Sequence, residues 1–136
     1  MFPSHTRFLI VEDIASMRDV VVATLKNLGF NAIVTAKDGK DALEKFYMAS
    51  QSNRPIQVII SDWNMPEMNG ITLLEEIRQL PSGKSLPFLL LTTESEKAKV
   101  VEAITLGVSN YMVKPVSEST MHAKLLEVWK RHSKKS

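Results

Sequence analysis

Short runs rich in apolar and branched residues recur along the chain, each too brief to be a helix: Phe8–Val11, Ala32–Val34, Gln57–Ser61, Pro87–Leu91 and Asn110–Val113. Runs that are apolar throughout must be buried on both faces, which is how strands of a parallel sheet read. Between them, apolar residues recur at helical spacing. The first such stretch carries Met17, Val20, Val21, Thr24, Leu25 and Leu28, with Gly29 as its C-terminal cap. The second carries Ala42, Leu43, Phe46 and Tyr47, with Asp38 as an N-terminal cap. The third carries Ile71, Leu74 and Ile77 and stops before Pro81. The fourth, capped by Ser95, carries Ala98, Val101, Ile104 and Thr105. The fifth starts near Ser117 and carries Met121, Leu125, Val128 and Trp129. The segment from Ala49 to Pro55 reads as a polar connector. Five alternations of strand and helix predict an α/β fold: a doubly wound, five-stranded parallel sheet with helices on both faces.

Such a sheet needs a real core, and 136 residues suffice for one domain. There are no cysteines, so disulfides and thiolate metal sites are excluded. No apolar stretch is long enough to span a bilayer. The start of the chain lacks the apolar core of a signal peptide, so a cytoplasmic setting is expected. The net charge of +2 is mild. Lys130, Arg131, Lys134 and Lys135 gather at the C-terminus, where cations suit a helix end, and no interleaved aromatics suggest nucleic-acid binding. His5, His122 and His132 lack ligand spacing and read as surface residues.

In open parallel sheets, ligands bind beyond the carboxyl ends of the strands. Those ends carry Glu12-Asp13, Asp62, Thr92 and Lys114. Three carboxylates, a hydroxyl and an ammonium thus converge from distant parts of the chain. Each alone has a bland reading: Asp62 as a turn former, Glu12-Asp13 as a helix cap, Thr92 as a strand residue, Lys114 as a solvated charge. Together they define a chemistry. Crowded carboxylates resist full ionisation, and at least one should hold its proton. A divalent cation would relieve this, and an all-oxygen set favours a hard ion, Mg2+. Asp62 can attack phosphorus to form an acyl phosphate, with Lys114 and Thr92 meeting the phosphoryl oxygens.

These residues carry a resemblance. Val11-Glu12-Asp13, Ser61-Asp62-Trp63-Asn64-Met65-Pro66 with Asn69-Gly70, Leu91-Thr92-Thr93-Glu94, and Tyr111-Met112-Val113-Lys114-Pro115 match, in order and spacing, the motifs of response-regulator receiver domains. The chain resembles the single-domain, chemotaxis type. The resemblance implies a flavodoxin-like strand order of 2-1-3-4-5 and a receiver domain over 7–131, with an extension at 1–6 and a basic tail at 132–136. It implies that Asp62 accepts phosphate from a histidine kinase, and that Glu12, Asp13, Asp62 and the main-chain carbonyl of Asn64 hold Mg2+. Thr92 and Lys114 would contact the phosphoryl group. Thr92 and Tyr111 would form a switch that reshapes the face of the fourth helix, fifth strand and fifth helix. The Lys114–Pro115 bond would be cis.

The implied partners are a histidine kinase, the flagellar motor switch protein or another protein target, and, as an open alternative, a phosphatase; nucleic acid and membrane are not among them. The protein would catalyse only its own phosphorylation and dephosphorylation. Three residues depart from the chemotaxis pattern. Glu12 stands where Asp is frequent, and Ile14 and Val116 stand where Phe is familiar. Asn64 and Glu94 match it at positions that influence acyl-phosphate hydrolysis, so a short-lived phosphorylated state is expected. Trp63, next to the acceptor, is expected to be partly exposed. Trp129 is expected to pack on the sheet.

Two other functions compete. One is a phosphorelay shuttle or adaptor in a pathway other than chemotaxis. The other is a phosphatase of the haloacid dehalogenase type. Those enzymes resemble a pattern with the nucleophile on the first strand and a second Asp two residues later, and Glu12-Asp13-Ile14-Ala15 does not fit it.

Overall fold

Odd and even strand residues serve opposite faces of one sheet, and this explains why the strands are apolar along their length. The computed structural model describes residues 1–93 and 100–133. Its elements follow the chain as β1 (Phe8–Val11), α1 (Ala15–Asn27), β2 (Ile33–Ala36), α2 (Gly39–Gln51), β3 (Val58–Asp62), α3 (Gly70–Gln79), a 3-10 turn (Pro81–Gly83), β4 (Phe88–Thr92), α4 (Val100–Thr105), β5 (Asn110–Val113) and α5 (Glu118–Ser133). The strands are parallel and lie in the order β2-β1-β3-β4-β5, as the resemblance implies.

Leu9, Val11, Ile59, Phe88 and Leu90 point to one face, where Phe46, Leu73, Leu74, Ile77 and Ala103 of α2, α3 and α4 cover them. Phe8, Ile10, Ile60, Leu89 and Leu91 point to the other, against Val21 and Leu25 of α1 and Met121, Leu125 and Val128 of α5. Each such side chain contributes about 1.5–3 kcal/mol on leaving water. At the amino terminus, Phe2 meets the ring of Trp129 at 5.2 Å and that of Phe8 at 6.4 Å between centroids. Trp129 therefore meets Phe2 edge-on at the margin of the second core.

Capping follows the residue chemistry. Asp38 accepts from the Asp41 N–H at 2.8 Å, Asn69 from the Thr72 N–H at 2.9 Å, and Ser117 Oγ from the Thr120 N–H at 3.1 Å. Gly29 closes α1 at φ +98°, a conformation only glycine adopts without strain. The first helix follows Ile14 with no side-chain cap, so Glu12-Asp13 does not cap it.

Several expectations shift. The second strand starts and ends later than Ala32–Val34, and the third ends on Asp62 rather than Ser61. The segment taken as a connector from Ala49 opens with three residues of α2, because Ala49 is buried against the core and extends the helix by most of a turn. On α4 Ala103 is buried, whereas Val101 and Ile104, expected on the apolar face, are 72% and 59% exposed. Tyr47 and Val20 likewise face solvent. Ser95, Ala98 and Glu94 lie outside the described residues.

Candidate functional site

Register brings the strand ends together. Val11 pairs with Ser61, Asp62 with Leu91, and Thr92 with Val113. The residues just beyond these pairs, Glu12-Asp13 and Lys114, therefore meet Asp62 at one edge. Between β1 and β3 the chain reverses its direction of winding, and the crevice formed there is where such sheets bind ligands. The edge is fixed by the main chain. Glu12 N–H donates to Ala36 O at 3.1 Å, Trp63 N–H to Leu91 O at 2.9 Å, and Lys114 N–H to Thr92 O at 2.7 Å. The Lys114–Pro115 bond is cis.

Asp62 is 5% exposed, Glu12 is fully buried and Asp13 faces solvent. One oxygen from each lies within 4.8 Å of the others. Lys114 Nζ reaches Asp62 Oδ1 at 2.8 Å and Glu12 Oε1 at 3.5 Å. Asp62 Oδ1 also accepts from the Trp63 N–H at 2.9 Å. The ammonium pairs with two of the three carboxylates, and Glu12 Oε2 is buried without a hydrogen-bond partner among the described residues. Glu12 consequently holds its proton up to about pH 8. Burial is the main cause, then the Asp62 carboxylate by hydrogen bonding and charge; Lys114 opposes them and Asp13 adds to them. An orphaned carboxylate oxygen in an all-oxygen cluster fits a hard divalent cation.

Thr92 is buried at the end of β4, and its hydroxyl donates to Thr93 O at 3.2 Å. Tyr111 is half-buried on β5, with Lys124 Nζ 4.9 Å from the ring centroid. Asn64 is exposed in the loop after β3. That loop folds back tightly: Gly70 N–H donates to Trp63 O at 2.8 Å, and a Cβ on Gly70 would stand 2.4 Å from Asp62 O. Trp63 is buried at 4% exposure, contrary to expectation, because the residue after β3 turns into the α2–α3 core and not toward the crevice.

Two supports were not foreseen. Arg18 Nη1, from the first turn of α1, donates to Glu12 O at 2.8 Å and steadies the acidic corner. Gly70 permits the close approach of α3 to the Asp62 carbonyl. Neither announces itself locally, although an Arg six residues after a strand-end Glu is one turn into the following helix and within reach. An apolar cavity of about 140 Å3 also borders the site, lined by Met17, Val20, Leu91 and Val116. His5 and His122 are exposed.

A carboxylate held at the end of a central buried strand, with two more acids and a lysine from neighbouring strand ends, on a 2-1-3-4-5 sheet, is the arrangement expected of a receiver domain. The model of the response regulator receiver domain matches residues 8–126, and the chain belongs to that family. Within it, the similarity is to chemotaxis proteins. The chain is 39% identical to chemotaxis protein CheY1 of Helicobacter pylori over 119 residues, 88% of this chain and 93% of that one. It is 36% identical to the chemotaxis protein CheY homolog of Campylobacter jejuni over 122 residues, 90% and 91% of the two chains. The solved structure of chemotaxis response regulator CheY4 of Vibrio cholerae superposes with a TM-score of 0.78 at 36% identity, covering 91% of this chain and 98% of that one.

Proposed function

We propose that the chain is a single-domain response regulator that takes a phosphoryl group on Asp62 from the phosphohistidine of a histidine kinase. Its output is protein binding, in chemotaxis signalling to the flagellar motor switch, in the cytoplasm. The observation that carries this reading is the Lys114 ammonium 2.8 Å from Asp62, beside an acidic cluster with an orphaned oxygen. No described helix is long and apolar enough to cross a membrane, which agrees with a diffusible role.

Glu12, Asp13, Asp62 and the Asn64 carbonyl would hold Mg2+. Bound there, the ion supplies neutralisation of phosphoryl charge and orientation for in-line attack. The chain's own residues do the rest. An Asp62 carboxylate oxygen forms the new P–O bond while the P–N bond to the donor imidazole breaks, and the imidazole keeps that electron pair and takes up a proton. The Trp63 N–H holds the carboxylate in place, leaving the other oxygen for attack. Lys114 moves from Asp62 to a phosphoryl oxygen. Thr92 turns its hydroxyl from Thr93 O to another. That turn opens space into which Tyr111 rotates, giving up its contact with Lys124 and altering the surface of α4, β5 and α5. The phosphoryl group brings nearly two negative charges, and it biases the two arrangements only through these differing contacts.

Intact-mass measurement after incubation with Mg2+ and acetyl phosphate tests the core of the reading. The expected result is a gain of one phosphoryl group that is absent in Asp62→Asn; no gain in the parent protein overturns it. Binding to the motor switch protein, with and without beryllofluoride, separates the chemotaxis role from a shuttle or adaptor elsewhere.

A further inference from the structure

The helices run antiparallel to the strands, so their last turns gather at the sheet edge opposite Asp62. There the sign of charge reverses. A cavity of about 330 Å3 opens at that edge, lined by Arg78, Lys84, Arg131 and His132 and by residues 107–109, with no carboxylate among its described lining residues. Arg78 ends α3, Arg131 and His132 end α5, and Lys84 follows the 3-10 turn leading to β4.

Both guanidinium groups are aimed by carbonyls. Arg78 donates from Nε and Nη2 to Gly107 O at 3.1 and 2.8 Å, and from Nη1 to Gly83 O at 2.7 Å. Arg131 donates from Nη2 to Ser109 O. A carbonyl fixes a fork's geometry but does not cancel its charge. Partial burial lowers the Arg78 pKa from its ordinary value. None of Arg78, Lys84 and Arg131 makes an ion pair among the described residues. The charge preference of helix C-termini accounts for Arg78 and Arg131. It does not account for Lys84, which follows only a three-residue turn and makes no hydrogen bond to its carbonyls among the described residues. In sequence, Lys134 and Lys135 follow directly.

We propose that this cavity is a binding site for a small polyvalent phosphate, such as pyrophosphate or the phosphate chain of a nucleotide. Three formal positive charges call for an anion carrying more than one negative charge. The two guanidinium groups bring fixed positive charge and the N–H donors that the carbonyls leave unused, and Lys84 adds a mobile point charge. The volume falls within the range of small-molecule sites. An occupant would touch the ends of α3 and α5 and the start of β5 at once, and so report to two elements of the proposed output face.

The test is an amide-resolved NMR titration of the full chain with magnesium-free pyrophosphate, in EDTA, against sodium chloride of equal ionic strength. Saturable shifts are expected at Lys84, Gly107 and Ser109. Lys84→Gln, a change at an exposed side chain, should weaken binding about threefold, and Lys84→Gln with Arg131→Gln about tenfold or more. Repeating the titration with ATP separates the sources: equal affinity assigns recognition to the phosphate chain alone, and tighter binding adds the nucleoside. No saturable shift at about 10 mM pyrophosphate overturns the proposal, since that is weaker than millimolar affinity. Shifts confined to Glu12, Asp62 and Lys114, shifts matched by sodium chloride, or affinity unchanged in the double variant overturn it equally.

Discussion

Lys114 Nζ stands 2.8 Å from Asp62 Oδ1 and 3.5 Å from Glu12 Oε1, so one cation is shared unequally by two buried carboxylates. It sits where a divalent ion and a phosphoryl group would also draw on those oxygens. Lys114→Gln should therefore slow phosphorylation of Asp62 by acetyl phosphate roughly 100-fold, as loss of one transition-state donor does. Magnesium should bind the variant more tightly, because a competing charge has gone. Mass spectrometry and a metal titration check the two halves separately, and weaker metal binding would count against this role for Lys114.

Proton linkage gives a second expectation. Glu12 holds its proton to about pH 8 in the folded chain, against an ordinary value of 4.5. The folded state thus binds more protons than the unfolded state between about pH 4.5 and 8. Without metal, this group's contribution to stability is fully present below that window and is lost as pH rises through it. Urea midpoints in EDTA should fall across the window, and Glu12→Gln should flatten the slope. Magnesium affinity should rise over the same range, because the ion must displace that proton. Trp63 fluorescence in a Trp129→Phe background can follow the metal.

Gly70→Ala tests the close approach behind the acceptor. Its Cβ would lie 2.4 Å from Asp62 O and 2.9 Å from Leu90 Cδ2. The first neighbour is backbone and cannot yield without moving the strand end. A loss of about 1–3 kcal/mol is expected, read as a lower urea midpoint at unchanged m-value, together with slower phosphorylation.

Phe2 probes the margin of the second core. Phe2→Ala removes an edge-on contact with Trp129 at 5.2 Å. The expected cost is about 1 kcal/mol, with a red shift of Trp129 emission measured in a Trp63→Phe background.

Val116 borders the apolar cavity of about 140 Å3 next to Glu12 and Lys114. Val116→Phe should partly fill it and raise stability by about 0.5–1 kcal/mol. Thermal unfolding checks this, and a lower midpoint would mean that the cavity walls cannot accommodate a ring.

The strands and the acids at their ends were legible because burial on both faces leaves an unmistakable local mark: an unbroken apolar run closed by a charge. Strand order and the assembly of the site followed from the matching motifs. What escaped was set by neighbours distant in the chain. Trp63 follows Asp62 directly yet turns into the core beneath α3. Val101 and Ile104 fall at helical spacing, yet on α4 Ala103 is buried and these two are exposed. Ala49 continues α2 because a pocket in the sheet face awaits it, not because Ser50-Gln51-Ser52 favours a helix. Arg18 holds Glu12 by a main-chain carbonyl, and such a bond leaves no pattern in residue types.

Glu12, Asp13 and Asp62 stand at one end of the strands, and Arg78, Lys84 and Arg131, without an ion pair among the described residues, stand at the other, so opposite charges are separated along the sheet. A charged protein approaching it would exert a torque before touching it, presenting one end or the other according to its sign. Two surfaces at opposite poles can thus be addressed by differently charged visitors, each turned toward its own pole during diffusion.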